Sequence, residues 1–351
     1  METNVNYFNE FKRAYLIAEI GVNHNGDIEL AKKLIDAAKK SGADAVKFQT
    51  FSAQLLAAPT TPKVLYQEST TLPSESHLEM LERLELTKEQ HIELLQYCRK
   101  QDVEFLSTPY DIKSVRFLDS IGVRFFKTAS ADLIDLPLHR FIASTGKPTI
   151  VSTGMGNLGE IEKVVKIYEE AKNHNLILLH CVSNYPCSDE SLNMMSMNTL
   201  GAAFDLPYGY SDHSLGFLSS VIAVSRGAKI IEKHFTLDKD MLGPDHKASS
   251  TPNEFYELVF NIRRAEKMLG NKLKGPQIEE AQMAAVSRKS IVLAHPLKAG
   301  DVLTIDDFRL QRPGSGLDPI FMEMLVGMVL RKDLEEGHRL RWVDIEDIAD
   351  A

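Results

Sequence analysis

The chain has few cysteines, no long apolar run and no excess of positive charge. Its 351 residues include three cysteines, Cys98, Cys181 and Cys187, which are too few for a disulfide framework, so we interpret them as reduced structural thiols. No stretch approaches the ~18 apolar residues of a membrane span, and residues 1–12 lack the apolar core of a secretory signal. These absences predict a cytoplasmic protein with no membrane partner.

The net charge of −9 argues against nucleic acid as a partner. Hydrophobic residues make up 44% of the chain and charged residues 25%, which is typical of a soluble globular protein. The length is sufficient for one large domain and one small domain. An anionic substrate would need a locally basic pocket, because the overall field of the protein is negative.

Strand-like runs alternate with helical segments over the first 270 residues. Residues 28–41, for example, repeat apolar side chains with a helical period and end before Gly42. The eight strand-like runs are residues 15–21, 45–51, 104–109, 124–130, 148–154, 176–181, 208–213 and 229–235. This alternation predicts right-handed βαβ units and a parallel sheet.

Eight such units predict an α/β fold with a closed (β/α)8 TIM barrel. A doubly wound open sheet is the alternative, but no glycine-rich dinucleotide fingerprint follows the first strand. We assign residues 1–270 to the barrel and residues 271–286, which are polar and contain Gly275-Pro276, to a linker. Residues 287–351 carry several short apolar runs and are predicted to form a small β-rich domain.

Ionisable and hydroxyl side chains occupy the ends of the predicted strands, where a barrel of this type has its active site. Lys47 and Lys127 lie near the ends of the second and fourth strands, and Thr108, Ser130 and Ser152 add hydroxyl groups. A lysine on an inner strand face is costly unless it is paired with a carboxylate or functional. Two ammonium groups ringed by hydroxyls indicate a small phosphorylated anion.

Two histidines, His213 and His234, end the seventh and eighth strands. Two interpretations are open: each histidine is a hydrogen-bonded core residue, or the two together bind a metal ion. Their adjacency favours a labile catalytic Mn2+ or Mg2+ centre with open coordination positions. His180 at the sixth strand is interpreted as facing inward, in a supporting role beside the site. His24 lies in a loop predicted to cap the next helix.

Short motifs follow one another in an order that resembles the sialic acid synthase family, the phosphoenolpyruvate-condensing enzymes that make nine-carbon keto-sugar acids. The motifs are Ala18-Glu-Ile-Gly-Val-Asn-His-Asn-Gly26, Val46-Lys-Phe-Gln-Thr50, Leu106-Ser-Thr-Pro109, Val151-Ser-Thr-Gly-Met155, Leu179-His-Cys181, Tyr210-Ser-Asp-His213, Ile231-Glu-Lys-His-Phe235 and Gly243-Pro-Asp-His246. Ala285-Val-Ser-Arg-Lys-Ser290 and Arg312-Pro-Gly-Ser-Gly316 resemble the antifreeze-like (SAF) domain that ends members of this family.

The resemblance implies roles for individual residues. Lys47, Lys127, Glu19 and Asp245 would be catalytic, and His213 and His234 would bind Mn2+ or Mg2+. Phosphoenolpyruvate would be bound by Lys47, Thr108, Lys127, Ser130, Ser152, Ser183 and Ser211, and the amino sugar by Gln49, Tyr185, Asp245 and Arg312. The family works as a homodimer in which the SAF domain of one subunit covers the barrel of the other, so Arg312 would come from the partner subunit.

The implied reaction condenses phosphoenolpyruvate with an N-acetylated mannose-type sugar, for which we favour N-acetylmannosamine, to give a sialic acid and phosphate by C–O cleavage through a tetrahedral intermediate. The product would enter lipopolysaccharide or capsule. Two departures from the common bacterial pattern, Asp132 and Val182, flank the expected sugar pocket. Legionaminate or pseudaminate synthesis from a di-N-acetylated 6-deoxy sugar is therefore the alternative.

Three alternative functions, each of a different class of protein, are also compatible with the sequence. A Schiff-base aldolase would use Lys127 or Lys47 and would need no metal. A metal-dependent sugar isomerase is compatible with the barrel but does not explain two lysines at an anion site. A non-enzymatic carbohydrate-binding protein would leave the ionisable residues at the strand ends without a purpose.

Overall fold

Eight parallel strands form the inner layer of the first of two compact units in the computed structural model, which describes residues 6–346. The chain divides after Gly270. The strands are β1 (Tyr15–Gly21), β2 (Ala45–Thr50), β3 (Glu104–Pro109), β4 (Phe126–Thr128), β5 (Thr149–Ser152), β6 (Leu176–Cys181), β7 (Tyr208–Asp212) and β8 (Ile230–His234). Their order is β3-β2-β1-β8-β7-β6-β5-β4, and β3 and β4 pack side by side to close the ring. The predicted (β/α)8 barrel is confirmed.

Helices surround this ring. They are α1 (Ile28–Lys40), α2 (Ala53–Leu56), α3 (Leu65–Thr70), α4 (His77–Leu84), α5 (Lys88–Lys100), α6 (Ile112–Ser120), α7 (Leu136–Ser144), α8 (Leu158–Glu170), α9 (Ser196–Phe204), α10 (Leu218–Ser225) and α11 (Pro252–Leu269). Helix α1 shows the common pattern: Asp27 caps its first backbone N–H groups, and its buried face includes Leu34 and Ile35. Among residues 6–346, no helix is long and apolar enough to cross a membrane.

The barrel interior has an apolar layer below its polar end. Ile17, Leu106, Phe125 and Ile177 are among the inward-facing residues of this layer, and Phe8 closes it at the N-terminal ends of the strands. All are essentially inaccessible to solvent, and each such side chain contributes about 1.5–3 kcal/mol when fully buried. Side chains alternate along a strand, so residues two apart point to the same side. The next inward positions along these strands therefore lie nearer to the C-terminal ends of the strands.

Several strands are shorter than predicted, and the difference is largest for β4 and β5. β4 and β5 were predicted as residues 124–130 and 148–154 but cover Phe126–Thr128 and Thr149–Ser152. A 3-10 turn, Ser130–Ile134, begins just after β4, and Met155 after β5 has a left-handed backbone with φ of 63°. Ser130 therefore belongs to the turn that follows β4, whereas Ser152 is the last residue of β5.

The second unit contains two small antiparallel sheets. β9 (Ser290–Leu293) pairs with β10 (Phe308–Gln311), and β11 (Val329–Leu330) pairs with β12 (Ile345–Glu346). The helices are α12 (Ala281–Ser287) and α13 (Met322–Leu325), and an apolar core of its own includes Ile291, Leu325 and Leu340. The prediction of a small β-rich domain is confirmed. The segment predicted as a linker, residues 271–286, contains most of α12.

Candidate active site

A cavity of about 970 Å3 opens at the C-terminal ends of the barrel strands. Its lining includes all the barrel residues that the sequence assigned to the site, namely Glu19, Lys47, Gln49, Thr108, Lys127, Ser130, Ser152, Ser183, Tyr185, Ser211, His213, His234 and Asp245. Arg312 belongs to the second unit, where its side chain is exposed. The barrel alone therefore brings together a complete set of charged, hydroxyl and imidazole groups.

Four buried charged groups form the floor of this cavity. Strand register sets Glu19 opposite Lys47, and Lys47 Nζ lies 2.7 Å from Glu19 Oε2. Glu232 lies between the two lysines, with Oε1 3.3 Å from Lys127 Nζ and Oε2 3.8 Å from Lys47 Nζ. Sequence analysis left Glu232 out of the site, although its position two residues before His234 signals the same strand face. These alternating charges lie on side chains that are 6% exposed or less, and they compensate one another.

Burial and the neighbouring charges act in opposite directions on these groups. Burial raises the pKa of the Glu19 carboxyl above its ordinary value, against the lowering effect of Lys47. Burial also acts to raise the pKa of Glu232, but Lys127 and Lys47 outweigh it and the pKa falls below its ordinary value. Burial lowers the pKa of Lys127, against the effect of Glu232. Of the two carboxylates, Glu19 is the one suited to exchange a proton near neutral pH.

A ring of hydroxyl groups lies beside the lysines. Thr108 Oγ1 accepts a hydrogen bond from Lys47 Nζ at 3.1 Å, and Ser211 Oγ donates to Glu232 Oε1 at 3.0 Å. Ser152 Oγ and Ser183 Oγ are buried and have no hydrogen-bond partner among the described residues. Unsatisfied buried hydroxyls are costly, and an acceptor-only anion is the group that would satisfy them.

His213 and His234 lie next to each other, with ring centroids 5.6 Å apart. His213 Nδ1 is 2.7 Å from the Val182 carbonyl oxygen, a contact in which the ring donates and keeps a lone pair on Nε2. Burial lowers the pKa of both histidines, so the neutral, metal-binding form prevails. The pair fits a divalent cation. Within residues 6–346 no group of three or more such ligands is assembled.

Tyr185 and Asp245 enclose the histidine pair. The Tyr185 ring centroid is 4.2 Å from that of His213 and 5.5 Å from that of His234. Asp245 Oδ2 is 3.8 Å from His234 Nδ1, and burial raises the pKa of Asp245 to about 6. Gln49 Nε2 donates to Glu19 Oε1 at 3.4 Å. The predicted sugar residues of the barrel thus reach from Glu19 on the floor to the imidazole pair.

A further wall of the cavity comes from the long segment between β2 and β3. Lys63, Tyr66, His77 and Met80 line the cavity from this segment. These residues lie outside the strand ends and follow no motif, so the sequence predicted no role for them. No local feature of the sequence indicates that this segment folds over the ends of the strands.

Two histidine interpretations are wrong. His180 faces outward from the barrel: its ring stacks on Tyr210 with centroids 5.9 Å apart, and its Nε2 lies 2.7 Å from the Leu192 carbonyl oxygen. The inward positions of β6 are those of Ile177 and Leu179. His24 does not cap α1, since Asp27 does; His24 Nδ1 accepts from the nearby Gly26 backbone N–H at 3.0 Å.

Residues 34–274 match the model of the NeuB family, and residues 288–346 match that of the SAF domain. The chain belongs to the NeuB family. It is 45% identical to the N,N'-diacetyllegionaminic acid synthase of Legionella pneumophila, over 95% of this chain and 94% of that protein. It is 35% identical to a pseudaminic acid synthase of Campylobacter jejuni, over 96% and 98% of the two chains.

A solved structure gives the same family assignment. The crystal structure of an N-acetylneuraminic acid (sialic acid) synthetase from Leptospira borgpetersenii, in complex with citrate, is 34% identical and superposes with a TM-score of 0.70, covering 77% of this chain and 90% of that one. The resemblance drawn from the sequence motifs is confirmed. This NeuB protein is an enzyme, a transferase of the sialic, legionaminic and pseudaminic acid synthase type.

Proposed function

We propose that this NeuB enzyme condenses phosphoenolpyruvate with a di-N-acetylated 6-deoxy sugar to give a legionaminic acid-type product and phosphate. The observation that carries the proposal is the single cavity in which buried lysines, unpartnered hydroxyls and a neutral histidine pair meet. Sequence analysis favoured N-acetylmannosamine as acceptor and held the 6-deoxy sugar as the alternative. N-acetylmannosamine is now the competing acceptor.

The phosphate group of phosphoenolpyruvate is assigned to the lysines and the hydroxyl ring. Lys47 and Lys127 supply positive charge, and Thr108, Ser130, Ser152 and Ser183 supply hydrogen-bond donors, whereas Ser211 donates its hydrogen to Glu232. Charge-assisted hydrogen bonds are about twice as strong as neutral ones. These groups also stabilise the charge that develops on the phosphate as the C–O bond breaks.

The reaction joins the methylene carbon of phosphoenolpyruvate to the aldehyde carbon of the open-chain sugar. Water then adds to the neighbouring carbon, the one that carries the phosphate ester, and collapse of this tetrahedral intermediate breaks the C–O bond and releases phosphate. Glu19 takes a proton from that water, which is consistent with the raised pKa of its buried carboxyl. Asp245, whose pKa burial raises to about 6, donates a proton to the sugar oxygen. Both roles are proposals from the position and protonation of these two groups.

His213 and His234 would hold Mn2+ or Mg2+. When bound, such a cation supplies a Lewis acid that polarises the sugar aldehyde. The chain's own contribution is to keep both imidazoles neutral and to orient His213 through the Val182 carbonyl group. Tyr185 covers the pair and excludes water from one side.

The choice of sugar rests on identity and on the character of the cavity wall. Identity is 45% to the legionaminic acid synthase, against 35% and 34% to the pseudaminic and neuraminic acid enzymes. The lining of the cavity includes the apolar side chains of Val22, Leu56, Met80, Leu81 and Leu84. A 6-deoxy sugar with two acetyl groups presents more methyl surface than N-acetylmannosamine, and such a wall would bury it favourably.

A sugar panel tests this proposal. Phosphate release from phosphoenolpyruvate is measured with Mn2+ and with N-acetylmannosamine, its 6-phosphate, or the 2,4-di-N-acetylated 6-deoxy sugars. We expect kcat/KM to be highest, by about tenfold or more, for the di-N-acetylated 6-deoxy sugar of mannose configuration, since one or two extra buried methyl groups contribute about that factor. Higher efficiency with N-acetylmannosamine would overturn the choice of acceptor while leaving the reaction class intact.

Treatment with borohydride distinguishes the proposed reaction from that of a Schiff-base aldolase. A Schiff-base enzyme would be inactivated by borohydride in the presence of a keto acid and would keep its activity after metal chelation. We expect neither result, because Lys47 and Lys127 are both held in ion pairs with carboxylates.

A further inference from the structure

We propose that Cys181 is a positioning residue of the phosphate subsite. Its thiol donates a hydrogen bond to Ser130 and thereby directs the Ser130 hydroxyl hydrogen toward the phosphate group of the substrate. This inference rests on the proposed function, since it concerns the same subsite. Sequence analysis had treated Cys181 as a purely structural thiol.

The geometry around Ser130 carries the argument. Ser130 Oγ accepts a hydrogen bond from the Gly154 backbone N–H at 3.1 Å, and Cys181 Sγ lies 3.0 Å away. A hydroxyl oxygen accepts two hydrogen bonds and donates one. When the Gly154 amide and the Cys181 thiol occupy both acceptor positions, the hydrogen of Ser130 is free for a ligand in the cavity that Ser130 lines.

The direction of the bond follows from what each partner needs. Cys181 is 5% exposed, so its S–H group finds no solvent partner. Burial raises the pKa of Cys181, which keeps the thiol protonated at neutral pH. Sulfur is a weak acceptor, whereas the serine oxygen is a strong one. The thiol as donor and the serine as acceptor therefore make the better pair.

The backbone of Gly154 lies at the point where these side chains meet. A Cβ atom at Gly154 would lie 2.8 Å from both Cys181 Sγ and Ser130 Oγ, and it would also clash with Ser183 Oγ. Three polar side chains thus converge on one backbone position that has no room for a side chain. Ser152 Oγ and Ser183 Oγ nearby are buried without partners in the described part of the chain. Donors that converge without acceptors indicate an acceptor-only ligand such as a phosphate group.

A double-mutant cycle with Ser130 tests the proposal. The variants are Cys181→Ala, Ser130→Ala and the double variant, and the readouts are KM for phosphoenolpyruvate, kcat and the inhibition constant of inorganic phosphate. We expect Ser130→Ala to raise KM and the phosphate inhibition constant about tenfold, and Cys181→Ala to raise both about three- to fivefold with kcat within twofold. The double variant should match Ser130→Ala alone, because the thiol acts only through the hydroxyl.

Two further variants separate positioning from packing. Cys181→Ser keeps a donor at this position and should restore KM to within twofold of the parent enzyme. Cys98→Ala removes a buried sulfur from the core-facing side of α5 and should leave KM unchanged. Multiplying effects in the double variant, or a KM for Cys181→Ser as high as that of Cys181→Ala, would refute the proposal. So would an unchanged KM in Cys181→Ala.

Calorimetric binding of phosphoenolpyruvate to the complete protein without sugar keeps this test separate from the proposed function. If no acceptor sugar supports turnover but the dissociation constant follows the same cycle, the subsite inference holds and the proposed reaction fails. If the parent enzyme turns over normally and the cycle is additive, only the role of Cys181 is lost. A Cys181→Ala protein that does not fold is replaced by Cys181→Val, which fills the space without a donor and should raise KM about three- to fivefold, with no further rise in the Ser130→Ala background.

Discussion

Glu19 and Lys47 lie opposite each other on neighbouring strands, and their side chains form a 2.7 Å ion pair at the floor of the cavity. Both side chains are 4% exposed or less. The pair therefore lies where the loss of either partner would leave an uncompensated buried charge. This relationship joins catalysis to stability, and it can be tested by replacement of either residue.

Replacement of Lys47 should reduce both activity and stability. We expect Lys47→Met to lower kcat/KM for phosphoenolpyruvate by at least about a hundredfold, because it removes a charge-assisted donor from the anion site. It should also lower the free energy of unfolding by about 3–5 kcal/mol, since Glu19 loses its partner. Phosphate release and urea unfolding measure the two effects. The surface pair of Lys39 and Asp102 is the control: Lys39→Met should change stability by less than about 1 kcal/mol.

Removal of either imidazole should abolish metal binding. We expect His213→Ala and His234→Ala to lose high-affinity Mn2+ binding in calorimetry and to lose phosphate release, while circular dichroism stays that of the parent. His180→Asn is the control. Because His180 faces outward, this variant should keep the Mn2+ affinity of the parent enzyme. Phosphate release that persists undiminished after exhaustive chelation would contradict the metal assignment.

Asp132 should make the enzyme less stable as the pH rises. Burial, followed by Asp135, raises the pKa of Asp132 to about 7, and its Oδ2 has no hydrogen-bond partner within the described residues. A carboxyl whose folded pKa exceeds its unfolded value of about 3.9 contributes stability that is fully present below pH 4 and lost as the pH rises through 7. Asp132→Asn should therefore stabilise the protein at pH 8 and leave it unchanged at pH 4.

Urea unfolding at several pH values checks the Asp132 prediction. Asp240→Asn, at an exposed carboxyl in the loop after β8, is the matched control and should give no pH-dependent gain. An Asp132→Asn protein whose stability follows the parent at every pH would contradict the assignment.

Asp212 and Lys233 should contribute to stability without a direct role at the cavity. Lys233 Nζ lies 2.9 Å from Asp212 Oδ2, both side chains are 2% exposed or less, and Ser214, Ser219 and Ser220 also donate to this carboxylate. Neither residue lines the cavity. We expect Asp212→Ala to cost about 3–5 kcal/mol of unfolding free energy, as measured with urea. Stability within about 1 kcal/mol of the parent would show that water solvates Lys233.

Mixed dimers should recover activity if Arg312 acts on the other subunit. If the protein forms such a dimer, the Arg312→Ala and His213→Ala variants should each be inactive alone. After mixing and subunit exchange, one site in each heterodimer would have both an intact barrel and an intact Arg312, so about a quarter of all sites should be active when exchange is random. No recovery, with exchange demonstrated by native mass spectrometry, would contradict the swapped arrangement.

Much of the site was predictable because the evidence for it is local. Lys47 lies between Val46 and Phe48 in β2, and the two histidines of the pair follow or end β7 and β8. An ionisable side chain at such a buried strand position stands out in the sequence. Glu232 lies on the same strand face as His234, but the sequence did not indicate a role for it. Its function as the bridge between two lysines depends on strands far apart in sequence.

The error at His180 has a physical cause. Both faces of a parallel barrel strand are buried, so β6 reads as a continuous apolar run and its period does not tell which face points inward. Only the packing of Leu179 in the barrel and of His180 against Tyr210 distinguishes the two faces.

The amino-acid sequence by itself determined the barrel, the small second unit and the family, because periodicity, turn residues and ordered motifs are local properties of the chain. Tertiary structure alone decided which groups became partners: Glu232 with both lysines, Cys181 with Ser130, and Asp212 with Lys233. Those partnerships depend on strand register and on loops that meet above the barrel. No short stretch of sequence encodes the distance between two such side chains.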